Sequence, residues 1–101
     1  MKDRIEKNEE KLDSILNIIK ELDNSLDNFD KCLKDIKDVN KYYGSKSWFK
    51  DKELFENRKI TNVNAGVLGE DTVWNMNEDI DDIIIKMQKL IKKYNKGDNH
   101  E

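Results

Sequence analysis

The stretch LDSILNIIKELDNSLDNFDKCLKDI, Leu12–Ile36, decides the fold. Its apolar residues alternate three and four apart without a slip. One row runs Ile5, Leu12, Ile19, Leu26 and Leu33, and the other runs Ile15, Leu22, Phe29, Ile36 and Tyr43. Only a helix brings residues at that spacing onto one face, and a seam this regular packs against other helices. Leu16, Ile18, Cys32 and Val39 flank the seam and widen it. A stripe that wide meets two neighbours, which favours a bundle over a lone two-stranded coil. Asn8 and Asn40 interrupt the same rows near the two ends. They read as wet, fraying helix ends or, more sharply, as polar positions that set register.

A second rhythm begins at Val73 and runs Met76, Ile80, Ile83, Met87, Leu90 and Tyr94, widened by Trp74, Ile84 and Ile91. Gly69 fits an N-cap, Leu68 and Val73 stand at the spacing of a hydrophobic staple, and Glu70 and Asp71 put negative charge near the helix start. Between the two rhythms, Ser47 fits the cap of a short helix with Trp48 and Phe55 on one face. Arg58 to Gly66 reads as an irregular connection. The expected fold is all-α. Two long antiparallel helices, about 2–43 and 70–95, are joined by a short helix, about 48–57, and a loop. Residues 1–97 form a single helical domain and 98–101 a disordered tail.

The first helix would be roughly 60 Å long and the last roughly 36 Å. That leaves about 25 Å of apolar seam without cover inside a simple hairpin. A second copy of the chain is the expected cover, giving a dimeric helical bundle.

Composition agrees. The chain has 101 residues, 41% of them charged, no proline and four glycines. That supports long helices and leaves little for the turns a sheet needs. The net charge of −3 argues against nucleic acid as a partner. The longest apolar run, Ile83–Ile85, is far short of a membrane span, and the first residues hold no apolar signal segment. A single cysteine, Cys32, fits a reducing cytoplasm.

The sequence offers little reaction chemistry. Its one histidine, His100, lies in the tail, so no Ser-His or Cys-His pair forms. No cofactor motif is present, and Cys32 beside the seam reads as a buried structural thiol. Glu78 and Asp82 share a helix face near Asp79, and Glu9, Glu10 and Asp13 stand on the first helix. That is the raw material of a metal-dependent all-α phosphohydrolase. The plainer reading is a solvated acidic half-helix balanced by Lys86, Lys89, Lys92, Lys93 and Lys96 at its other end. The same acidic surface would serve an inhibitor or adaptor that blocks a nucleic-acid-binding partner, as in phage–host conflict.

YYGSKSWF, Tyr42–Phe49, crowds four aromatic residues into a corner among Lys46, Lys50, Lys52, Arg58 and Lys59. Tyr42, Tyr43, Trp48, Phe49 and, beyond them, Trp74 are the expected partner-binding residues. The leading expectation is a small non-enzymatic cytoplasmic module that binds itself and another protein through helix faces and this corner.

YYGSKSWF and GVLGEDTVWNM, in this order between a long first helix and a final one, resemble the bacterial family called domain of unknown function 4298. The matching residues are Tyr42, Tyr43, Gly44, Ser45 and Trp48, then Gly66, Val67, Leu68, Glu70 and Asp71. Gly69 stands where that pattern has a capping serine. The resemblance implies a small all-α protein and no activity.

Overall fold

The computed structural model describes residues 1–97. The expected tail, 98–101 with His100, lies outside the described residues. The elements are α1 (Lys2–Tyr42), α2 (Lys46–Glu56), a single 3₁₀ turn (Gly66–Leu68) and α3 (Thr72–Lys96). The chain is all-α, with two long helices joined through a short one and a loop. It divides into two compact units, Met1–Asp38 and Val39–Glu101.

The first unit is helix throughout, from Lys2 on. No glycine or proline interrupts α1, and Asp3 in its first turn and Lys41 in its last complement the helix dipole. Its apolar rows are not buried along their length. Leu12, Ile15, Ile19, Leu22, Leu26 and Leu33 are each at least 43% exposed. Phe29, Cys32 and Ile36 are half-buried, so Cys32 is not the fully buried thiol expected. The shielded residues follow Phe29, Cys32, Ile36 and Val39. The shielded stripe is therefore rotated toward the flanking positions, and the row from Ile5 to Leu33 stays open.

In the second unit, α1 ends where Gly44 takes φ +77°. That left-handed conformation suits glycine and stops the helix at Tyr42. The Ser45 N–H donates to the Tyr42 carbonyl at 2.9 Å, and Ser45 then opens α2. Its Oγ accepts the Trp48 N–H at 3.2 Å, so the cap is Ser45 and not Ser47. The cap belongs at the extended residue before the helix, and Ser47 is already helical. α2 thus starts two residues earlier than expected.

The end of α2 is a Schellman motif built without glycine. The Lys59 N–H reaches the Leu54 carbonyl at 2.8 Å and the Arg58 N–H reaches that of Phe55 at 3.0 Å. Arg58 occupies the left-handed position, at φ 59°.

Gly69 is not the cap of α3. Its N–H closes the 3₁₀ turn on the Gly66 carbonyl at 3.0 Å. A Cβ there would stand 3.1 Å from Thr72 Oγ1 and 3.2 Å from the Gly66 oxygen, too close for an easy serine. Asp71 precedes α3 instead, without a side-chain cap bond. The start moves to Thr72, which puts Leu68 and Val73 out of register for a staple. On α3, Val73 is buried and Met76, Asn77, Ile80, Ile84 and Met87 are half-buried. Ile83 is 49% exposed, so Ile84 takes the inner place expected of it.

Asn40 does not sit in a fraying end. It and Asn77 exchange reciprocal amide hydrogen bonds, at 3.1 and 2.8 Å. The pair ties the last turns of α1 to the first turns of α3, as a register-setting polar contact does. Asn8 spends its amide N–H₂ on the Arg4 carbonyl of its own helix, at 2.7 Å.

Candidate functional site

The corner is organised around Trp48. Among the described residues the buried apolar side chains are Trp48, 4% exposed, and Val73, 3% exposed. The Ser45 cap fixes the first turn of α2, which aims the Trp48 indole inward. A buried indole N–H needs an acceptor, and it donates to the Val67 carbonyl at 2.9 Å. The 3₁₀ turn exists at the place where that carbonyl is required. Tyr43 meets the Trp48 ring edge-on at 5.1 Å between centroids, and Phe49 does so at 4.9 Å. Both are arrangements that aromatic quadrupoles favour.

Polar bonds close the ring of contacts. The Tyr43 hydroxyl donates to the Glu70 carbonyl at 2.6 Å. The Tyr42 hydroxyl donates to Asp51 Oδ2 at 2.6 Å. Lys52 Nζ lies 5.1 Å from the centroid of the Trp48 ring and 2.9 Å from Glu70 Oε1. Lys52 thus bridges the indole face and a carboxylate.

The electrostatics follow this geometry. The hydrogen bond to Asp51, with burial and the carboxylate's charge behind it, raises the Tyr42 phenol above its ordinary value. The Glu70 hydrogen bond holds Lys52 above its usual range, and the same bond holds Glu70 below the usual carboxylate range.

These contacts divide the five aromatic residues named from the sequence. Trp48 is the inner pin, and Tyr42 and Tyr43 are half-buried and tied by their hydroxyls. Phe49 and Trp74, each 60% exposed, are the two that present a face to solvent. The acidic residues Glu78, Asp79 and Asp82 are exposed along α3. Among the described residues, no three His, Cys, Asp or Glu side chains gather as a metal ion would need. No described helix is long and apolar enough to cross a membrane.

The roles of Asp51, Lys52 and the Val67 carbonyl were not visible in the sequence. Asp51 and Lys52 look like ordinary members of a charged helix face. The fold gives Asp51 its partner in Tyr42 at the end of α1, Lys52 its partner in Glu70 beyond the 3₁₀ turn, and the Val67 carbonyl its partner in the Trp48 indole.

A search of curated proteins and a search of solved structures each returned no match. The sequence profile of one family matches residues 5–97, from the first seam residue of α1 to the end of α3. It spans the whole YYGSKSWF corner and the GVL turn that receives the indole. The chain therefore belongs to the family described as domain of unknown function (DUF4298).

Proposed function

We propose that the chain is a small non-enzymatic interaction module of the cytoplasm, which assembles with itself through α1 and offers the corner to another protein. The observation that carries this reading is the open apolar row of α1. Six of its Leu and Ile residues, from Leu12 to Leu33, are 43–56% exposed. Apolar surface of that extent marks an interface. The corner supports the second half of the reading. Its polar groups are engaged in bonds that fix the corner around Trp48, which leaves Phe49 and Trp74 as exposed aromatic anchors. Lys52, one of the five cations of this region, is engaged by Glu70, which favours protein over nucleic acid as the corner's partner. Cys32, a free thiol, fits a reducing compartment.

Light scattering tests the assembly. At tens of micromolar the mass should be a multiple of 12.0 kDa. Ile19→Glu should return it to one chain, while Phe49→Ala and Trp74→Ala leave it unchanged. A monomeric mass for the unaltered chain would overturn self-assembly. The corner is tested separately, by whether Phe49→Ala and Trp74→Ala abolish capture of a host protein that the unaltered chain retains.

A further inference from the structure

The open row has an internal symmetry. Leu12, Ile15, Leu16, Ile18, Ile19 and Leu22 stand at −5, −2, −1, +1, +2 and +5 from Asn17. All six are 46–59% exposed. We infer that this patch pairs with the same patch of a second copy, antiparallel, about a two-fold axis level with Asn17. The inference deepens the assembly reading above and rests on it.

An isologous interface sets residue i against j and j against i, so a patch that reads alike in both directions complements itself. Centred at 17, the pairing sets Leu12 level with Leu22 of the second copy, and Ile15 level with Ile19. These four are the seam positions, and the flanks then choose the orientation. Leu16 follows one row and Ile18 precedes the other, so they sit on opposite edges of the seam. In an antiparallel pair each edge meets its own kind, Leu16 against Leu16 and Ile18 against Ile18. In a parallel pair each edge meets the other, Leu16 against Lys11 and Ile18 against Asp23. That leaves an apolar side chain facing a charge on both sides.

The area suffices. A Leu or Ile at half exposure offers on the order of 90 Å², somewhat less than half of what a large aromatic residue buries. Six of them on each of two copies give on the order of 1,000 Å². Ile5 and Leu26, 60% and 43% exposed, extend the patch at both ends. The total reaches the 1,200–2,000 Å² range of a stable interface. One edge carries a cost. Glu9 and Asp23 approach on the same flank, and each copy has net charge −3. Added salt should therefore tighten the pair.

Spin-label distances test the register. In a Cys32→Ser background, single labels go at Lys7→Cys, Ser14→Cys, Glu21→Cys and Asn28→Cys. These positions are one heptad apart, exposed and off the seam, so each label keeps the same sideways offset. At 1.5 Å per residue, pairing about Asn17 adds an axial separation of roughly 30 Å at 7 and 28, and roughly 10 Å at 14 and 21. The expected series is long, short, short, long. A flat series would mean parallel pairing and overturn the inference while leaving self-assembly standing. A minimum elsewhere would overturn the centre. A monomeric mass would overturn the pair and self-assembly together, and the host-protein arm would then decide the rest of the reading.

Discussion

The first half of α1 and the corner that follows it use apolar side chains in opposite ways. From Leu12 to Leu26 the helix shows a flawless seam, and every member of it is open to solvent. Between Tyr42 and Val73 the pattern is irregular, yet this stretch holds the buried Trp48 and Val73 and a dense set of side-chain bonds. Periodicity tells which face of a helix is apolar, and it does not tell what covers that face. Burial here comes from a few contacts between short, bent pieces of chain.

The contrast is sharpest between Trp48 and Leu22. Trp48→Ala removes a buried ring and orphans the Val67 carbonyl, and should cost about 3–5 kcal/mol. Leu22→Ala, at a side chain 56% exposed, should change the stability of the dilute single chain by less than about 1 kcal/mol. It should instead weaken self-association. Urea titrations at low and high protein concentration check both. Equal losses at low concentration would erase the distinction between the two regions.

Gly44→Val should cost about 1–2 kcal/mol, because a β-branched residue resists φ +77°. A Cβ at Gly44 meets nothing within 4 Å, so the loss would be conformational and not steric. Gly44→Asn should recover much of it. The opposite change applies at Arg58, a left-handed position held by a residue other than glycine. Arg58→Gly should raise stability by about 0.5–1 kcal/mol by relieving the Schellman position, seen as a higher melting temperature. A fall would mean that the Arg58 side chain holds the loop.

The smallest effect is electrostatic. Glu70, lowered by Lys52, contributes above its ordinary value of about 4.5 and loses that contribution as pH falls through its folded value. Lys52, raised by Glu70, contributes below its ordinary value of about 10.5 and loses it as pH rises through its folded value. The bridge therefore supports the corner between those limits. Glu70→Gln should flatten a shallow acid limb in the melting temperature relative to the unaltered chain. Solvent screens the effect, since the Glu70 side chain is 77% exposed. An identical acid limb in both proteins would show that the bridge is only superficial.

The helices were legible in the sequence because their signals are local. The three-and-four rhythm gave α1 and α3, and Gly44 marked the stop between α1 and α2. The caps were not legible to the residue. Ser45 and Ser47 are both capping types, and the choice rests on where Gly44 turns the backbone. Gly69 too is a capping type, but its N–H closes the 3₁₀ turn on Gly66. Phe49 and Trp74 looked no different from Trp48 in the sequence. What separates them is the Val67 carbonyl, 19 residues from Trp48, and no pattern in the chain announces a contact at that range.

The two tryptophans now sit in opposite surroundings, one sealed at 4% exposure and one open at 60%. They give the molecule two optical reporters. An aqueous collisional quencher such as iodide should dim Trp74 and spare Trp48, leaving a residual, blue-shifted emission. That residue belongs to the corner alone, and it should disappear at the point where the indole lets go of the Val67 carbonyl. A partner seated over Trp74 would shield the quenchable part and leave the protected part as it was. Occupancy of the exposed face and integrity of the fold can thus be followed separately, in one cuvette, without adding a dye.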